Sequence, residues 1–91
     1  MEKNLSHSEF YKAVLSLQNE EECRLFFEDI CTIKELETIS QRLEVARLLS
    51  SNSTFNEIVA ATGASTTTIS RVNRCLRYGD GGYSMILGRN K

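Results

Sequence analysis

Apolar residues recur every three or four positions along most of the chain, which is the period of an amphipathic helix. They form five stripes: Phe10, Ala13, Val14 and Leu17; Cys23, Phe26, Phe27 and Ile30; Leu36, Ile39, Leu43 and Ala46, widened by Leu48 and Leu49; Phe55, Ile58, Val59 and Thr62; and Ile69, Val72, Cys75 and Leu76. The chain has no proline, and its first glycine is Gly63. The pattern predicts an all-α fold of five helices joined by short polar turns.

The starts of the first four helices carry a common signal, an oxygen-bearing residue three positions before a glutamate. The pairs are Ser6 and Glu9, Asn19 and Glu22, Thr32 and Glu35, and Thr54 and Glu57. In a capping box of this spacing, each side chain accepts a hydrogen bond from an otherwise unpaired amide at the helix start. The pairs therefore predict where these helices begin, and the third is expected to end near Ser50.

The segment 54–78 has the pattern of a helix-turn-helix. Gly63 follows the fourth helix, at a position where a positive φ costs glycine little, and Ala60 and Ala61 are small enough for close helix contact. We expect a turn of three or four residues. The predicted core between the two helices consists of Ile58, Val59, Ile69 and Val72.

Charge divides the chain into two unlike halves. Residues 1–52 carry six basic and ten acidic side chains, whereas residues 53–91 carry five basic and two acidic ones. The fifth helix begins with Ser65-Thr66-Thr67-Thr68, which offers hydroxyls and no acid. An acid there would repel phosphate, while hydroxyls and free amides can donate to it. The second half is therefore the predicted nucleic-acid face.

Seven residues are predicted to contact DNA, namely Ser65, Thr66, Thr67, Thr68, Ser70, Arg71 and Arg74. Guanidinium groups bind phosphate or, bidentately, guanine, and threonine methyls can touch thymine methyls. Other interpretations stay open: Ser65 as an ordinary N-cap, the hydroxyls as solvated surface, and the arginines as cations that favour the helix dipole. Because some helix-turn-helix folds bind proteins, a protein-interaction module without DNA binding is the alternative function.

The length of 91 residues fits a single domain with a marginal core. The three cysteines, Cys23, Cys31 and Cys75, lack the close spacing of zinc ligands and cannot all pair, so we interpret them as small apolar packing groups. Association with a second copy is then the expected source of stability. We assign residues 1–31 to dimerisation, with packing inside one chain as the alternative, 32–52 to a central helix and 79–91 to a tail.

Several functional classes are disfavoured by what the sequence contains. No apolar run approaches the ~20 residues that span a bilayer, and the start of the sequence lacks a signal-peptide layout. We therefore expect a cytoplasmic protein. As a bacterial DNA-binding protein, it would be associated with the nucleoid when bound to DNA. The single histidine, His7, has no nucleophile and orienting group around it, which argues against an enzyme. No cofactor or metal is expected.

From about Thr32 to Tyr78 the sequence resembles the tryptophan repressor family. The similarity rests on Thr32-Ile-Lys-Glu-Leu-Glu, Ile39-Ser-Gln-Arg-Leu-Glu-Val-Ala-Arg-Leu-Leu and the segment from Thr54 to Arg71, while Arg77-Tyr-Gly-Asp-Gly-Gly-Tyr looks like the YerC/YecD branch. The resemblance implies an intertwined helical homodimer whose two helix-turn-helix heads meet successive major grooves of double-stranded DNA. It also implies a transcriptional regulator, which we expect to be a repressor.

The family's corepressor site is only partly matched. Thr32, Arg42, Thr68 and Arg71 correspond to its polar and ligand-clamping positions. Val72 stands where the family has glycine, Cys75 where it has serine, and Asp29 where it has leucine. A valine would fill ligand volume, and a buried Asp29 carboxylate would pair with Arg42 or Arg71, leaving these arginines in an internal ion pair. We therefore predict no tight tryptophan binding and leave the effector open.

The family's last helix has no clear counterpart in the sequence. After Gly79-Asp80-Gly81-Gly82, the segment from Tyr83 to Lys91 is too short for a helix that is stable without packing. We expect either a docked tail or a disordered end, with the apolar side chains Tyr83, Met85, Ile86 and Leu87 making the contacts in the first case.

Overall fold

The computed structural model describes residues 6–89, and every regular element in that range is an α-helix. The helices are α1 (Ser8–Leu15), α2 (Glu20–Ile30), α3 (Ile33–Ser50), α4 (Phe55–Thr62), α5 (Thr66–Tyr78) and α6 (Gly82–Arg89). The all-α prediction is confirmed, and the first five helices lie on the predicted apolar stripes, except that α1 ends before Leu17. None of the described helices has both the length and the apolar character needed to cross a membrane.

Three of the four predicted capping pairs are formed. The N-cap side chains that accept a hydrogen bond from the paired backbone N–H are those of Asn19 (from Glu22, 2.9 Å), Thr32 (from Glu35, 3.0 Å) and Thr54 (from Glu57, 3.1 Å). The carboxylates of Glu35 and Glu57 also accept from the N–H of their caps, at 2.8 and 2.7 Å. Local hydrogen bonds thus set the starts of α2, α3 and α4.

Helix α1 begins differently from the prediction. Its N-cap is His7, whose side chain makes no capping hydrogen bond, and the Ser6 hydroxyl accepts from the N–H of Ser8 at 3.1 Å. The Glu9 carboxylate pairs instead with the ammonium of Lys12, at 3.5 Å. The predicted capping box of Ser6 and Glu9 is therefore wrong, because the helix begins one residue later than predicted and Glu9 is its second residue, not its third.

The chain forms two compact units, and the boundary falls between Leu36 and Glu37, near the start of α3. In the first unit, none of the described residues 6–36 is fully buried. Its internal contacts include an aromatic cluster, in which the ring of Phe26 lies 6.1 Å from Phe10 and 5.4 Å from Phe27 between centroids. This unit therefore has apolar contacts but no enclosed core.

The second unit contains the buried core. Its fully buried residues are Val45, Ala46, Ile58, Ala64, Ile69 and Val72, and the half-buried Leu48, Leu49, Tyr83 and Leu87 pack against them. The predicted burial of Ile58, Ile69 and Val72 is confirmed. The prediction for Val59 is wrong, since its side chain is 38% exposed. Successive helix positions are turned by about 100°, so Val59 points away when Ile58 points inward.

Helix α3 has apolar residues on two faces. Of the apolar stripe that identified this helix in the sequence, Ala46 is enclosed, whereas Ile39 and Leu43 are 50% and 44% exposed. Val45, which lies off that stripe, is fully buried beside Ala46. The core of the second unit therefore uses the face around Val45, and the face with Ile39 and Leu43 is not covered by the described chain.

The segment after α5 folds into a helix, which corrects the expectation for residues 79–91. Helix α6 follows Gly81, whose φ is +89°, and its side chains Tyr83 and Leu87 pack one turn apart against the core. An isolated helix of eight residues is unstable in water, so this packing is what stabilises it. The docked alternative is correct as far as Arg89, and residues 90 and 91 lie outside the described residues.

The cysteines are less enclosed than predicted. Cys23 and Cys31 are half-buried, but Cys75 is exposed, so its interpretation as a packing group is wrong. A step of three residues falls about 60° short of a full helical turn. The series Ile69, Val72, Cys75 therefore rotates gradually off the core.

Candidate nucleic-acid interface

The turn between α4 and α5 is three residues long, from Gly63 to Ser65. Gly63 adopts φ +72°, and the positive φ predicted for this glycine is confirmed. The Thr62 hydroxyl donates to the carbonyl of Ile58 at 2.7 Å and accepts from the N–H of Ala64 at 3.1 Å. Ala64 is itself a buried core residue that the sequence analysis missed, because its neighbours are polar. The start of the turn is therefore bonded to the end of α4, and its middle residue is packed in the core.

Helix α5 begins without a negative charge. Ser65 is its N-cap, and the hydroxyl accepts from the N–H of Thr68 at 3.1 Å, which confirms the N-cap interpretation of Ser65. No acidic side chain lies in the first turn. The capping is thus done by a neutral hydroxyl, and the start of the helix keeps its positive electrostatic potential.

The two sides of α5 are chemically distinct. Ile69 and Val72 are buried in the core of the second unit. On the opposite side, one shallow surface depression is lined by Thr66, Thr67, Ser70, Arg71 and Arg74. Five of the seven residues predicted to contact DNA therefore share one exposed surface, which we call the outer face of α5. The other two, Ser65 and the half-buried Thr68, form the cap at its end.

The guanidinium groups of the outer face have no polar partner among the described residues. Arg71 and Arg74 are exposed and form no hydrogen bond or ion pair with the described residues. Arg77, in the last turn, donates from Nε to the Oδ1 of Asn73 at 3.3 Å. The outer face thus presents two free guanidinium groups beside three hydroxyls. Tyr78, at the end of α5, is 81% exposed and was not among the predicted residues.

The four residues matched to a ligand site have separate surroundings. Thr32 caps α3, Thr68 is hydrogen-bonded to Ser65, Arg42 is half-buried in α3, and Arg71 lies on the outer face of α5. Asp29 is exposed, which contradicts its expected burial. The ion pair described in the second unit joins Glu44 and Arg47. The expected internal ion pair of Arg42 and Arg71 is therefore wrong, because neither guanidinium pairs with a carboxylate of the described residues, and Arg71 is exposed.

The sequence and the fold of this chain are similar to those of known proteins. The family described as Trp repressor protein matches residues 6–91. This chain belongs to the Trp repressor family. Its relatives include the uncharacterized protein YerC of Bacillus subtilis strain 168, which is 52% identical over 83 residues, covering 91% of this chain and 80% of YerC. The resemblance noted between Thr32 and Tyr78 is confirmed and extends over nearly the whole chain.

Two solved structures have the same Trp repressor fold. A TrpR-like protein from Eubacterium eligens ATCC 27750 is 49% identical, with a TM-score of 0.88, over 90% of this chain and 84% of that one. A Staphylococcus aureus protein with the provisional name Trp repressor is 48% identical, also with a TM-score of 0.88, over 90% and 82%. The Trp repressor family is one of helix-turn-helix regulators and not of enzymes.

Proposed function

We propose that this protein is a transcriptional repressor that binds the major groove of double-stranded DNA as a homodimer. The observation that carries the proposal is the outer face of α5, where Thr66, Thr67, Ser70, Arg71 and Arg74 stand together, exposed and without an acid. A helix inserted into the groove needs base-contacting side chains near its start and cations that reach phosphate. This helix has both.

The core orients α5 for such a contact. Ile69 and Val72 hold one side of the helix, so its hydroxyls and guanidinium groups must lie on the solvent side. The Thr62 hydroxyl ties the turn to the end of α4, and Ala64 in that turn is buried in the same core as Ile69 and Val72. The face is therefore preorganised, and little conformational entropy would be lost on binding.

A second copy of the chain is supported by the apolar surface that each unit leaves exposed. In the first unit Leu15, Leu25 and Ile30 are more than half exposed, and in the second unit Ile39 and Leu43 are exposed on α3. Large apolar side chains exposed on both units are typical of a surface that another protein chain covers. A dimer with two-fold symmetry would cover it and present two α5 helices to half-sites ~34–36 Å apart. Bound there, the dimer would exclude polymerase, which favours repression over activation.

The dimer can be tested separately from DNA binding. Light scattering after size-exclusion chromatography should give about twice the chain mass of 10.3 kDa. Leu25→Glu and Leu43→Glu, made as two separate single variants, should each shift the protein toward monomer, because each places a charge on the apolar surface that the second copy would cover. A monomeric wild-type protein at micromolar concentration would contradict this part of the proposal.

DNA binding is tested by its dependence on salt. Affinity for duplex DNA should fall steeply between 50 and 200 mM salt, because each neutralised phosphate releases counterions. The double variant Arg71→Ala, Arg74→Ala should lose most of this affinity. Lys12→Ala, which removes one exposed charge from α1, is the control and should bind like the wild type. No duplex binding at low salt would refute the proposal and favour the protein-interaction alternative.

We further propose that tryptophan is not the corepressor. Val72 is 1% exposed and belongs to the core, so its side chain occupies volume where the family pattern has a glycine hydrogen. A buried valine there leaves less room for an indole ring than a glycine would. Regulation by another effector can be tested by a thermal-shift screen of amino acids.

A further inference from the structure

The outer face of α5 has a restricted recognition chemistry, which limits the bases it can select. Its five side chains carry three hydroxyls, two threonine methyls and two guanidinium groups, with neither a carboxylate nor an amide. In the major groove, guanidinium matches guanine O6 and N7, and a methyl group matches the thymine methyl. Bidentate selection of adenine requires asparagine or glutamine, and selection of cytosine through N4 uses an acid.

The one amide side chain of α5 is not available for adenine. Asn73 is half-buried, and its Oδ1 accepts a hydrogen bond from the Nε of Arg77 at 3.3 Å. Asn73 also does not line the depression formed by the outer face. An adenine held against the outer face would therefore not meet the Asn73 amide, which lies on another part of the helix.

Position along α5 separates the roles of the two arginines. Thr66 and Thr67 are in the first turn, Arg71 in the second and Arg74 in the third. Helices of this motif contact bases with their N-terminal residues, while later residues move away from the groove floor toward the phosphates. Arg71 is therefore placed for a base and Arg74 for the backbone.

We propose, on the basis of the DNA-binding function above, that each half-site is selected through a thymine and a guanine. The thymine methyl contacts Thr66 or Thr67, and Arg71 binds the guanine bidentately. Four residues of helix between Thr67 and Arg71 rise about 6 Å, and base pairs are ~3.4 Å apart, so the two bases are about two base pairs apart. Adenine occurs only as the pairing partner of the thymine.

Base analogues in a duplex selected from a random pool test this assignment with the full-length protein. Replacing the guanine by 7-deazaguanine removes N7 and should weaken binding by about 5- to 150-fold, and replacing thymine by deoxyuridine should weaken it about fourfold. Replacing adenine by 7-deazaadenine is the control and should have no effect. A Thr66→Ser, Thr67→Ser double variant lacks both threonine methyls. Replacing thymine by deoxyuridine should not weaken its binding any further.

Variants of the arginines complete the test. Arg71→Ala should abolish the preference for guanine at one position, whereas Arg74→Ala should weaken all duplexes alike and reduce the salt dependence. A selected site that is sensitive to 7-deazaadenine, a pool without sequence preference, or an unchanged preference in Arg71→Ala would each overturn the assignment while leaving DNA binding intact. Absence of binding to any duplex would instead refute the proposed function itself.

Discussion

The hydroxyl of Ser65 donates a hydrogen bond to the Oγ1 of Thr68 and accepts one from the backbone N–H of Thr68, each at 3.1 Å. The hydroxyl thus uses its one hydrogen and one of its two lone pairs for hydrogen bonds within the cap. Ser65 therefore stabilises the start of α5, and in the proposed DNA complex its contribution would come from its lack of charge rather than from a hydrogen bond to DNA.

Substitutions of Ser65 should separate stability from DNA affinity. Ser65→Ala removes the cap and should lower the free energy of unfolding by about 0.5–2 kcal/mol, measured by urea denaturation at fixed protein concentration. Ser65→Asp keeps a good cap, so stability should be retained, but the added carboxylate should weaken binding to duplex DNA. Ser65→Asn is the neutral control. Equal DNA affinity for the Asp and Asn variants would argue against a phosphate near this helix start.

Gly63 should be intolerant of a side chain for conformational reasons alone. A Cβ added there meets no atom within 4 Å, but φ is +72°. Gly63→Ala should therefore destabilise the protein by about 1–2 kcal/mol through backbone strain. Gly88→Ala in α6 is the matched control, since its Cβ also meets open space and its φ is not positive. That control should be neutral or slightly stabilising in the same denaturation experiment.

The packing of α6 predicts that Leu87 contributes more to the free energy of unfolding than its neighbours in the helix do. Leu87 is half-buried against the core, so Leu87→Ala should cost about 1–2 kcal/mol of unfolding free energy. The exposed Ser84 is the control, and Ser84→Ala should change stability by less than about 0.5 kcal/mol. Circular dichroism should also show a loss of helix for Leu87→Ala. Equal stability of the two variants would mean that α6 does not depend on the core.

Val72 gives a test of the effector proposal. Calorimetry should detect no micromolar binding of tryptophan to the wild-type protein. Val72→Gly empties a fully buried position and should destabilise the protein by about 3 kcal/mol or more. If the valine is what blocks the slot, tryptophan should raise the melting temperature of Val72→Gly and not that of the wild type. Micromolar binding by the wild type would contradict the proposal.

One ion pair makes a pH-dependent contribution to stability. The side-chain hydrogen bond from Arg47 holds the pKa of Glu44 below its ordinary value of 4.5. A carboxyl group with a lowered pKa stabilises the fold above its unfolded-state pKa, and this contribution is lost as the pH falls through the folded-state value. Because the pair is exposed, the effect should be small. An NMR titration should show the Glu44 pKa rising in Arg47→Ala and unchanged in Arg24→Ala.

The sequence determined the features that depend on neighbours along the chain. The caps at Asn19, Thr32 and Thr54, the glycine turn at Gly63 and the acid-free start at Ser65 are made by side chains and amides within four residues of each other. Such hydrogen bonds join groups close in sequence, so spacing predicts most of them, although Ser6 and Glu9 have the same spacing and form no capping box. The residues of the outer face of α5 follow from the same helical period.

Only the tertiary structure decided which apolar face is covered and by what. Periodicity marked Ile39 and Leu43 as apolar but could not show that the core uses Val45 instead, because α3 has apolar residues on two sides. Helix α6 forms because Tyr83 and Leu87 pack against residues distant in sequence, and the exposure of Arg71 depends on the opposite side of α5 being buried. These properties arise from contacts between helices, and a local pattern does not specify such contacts.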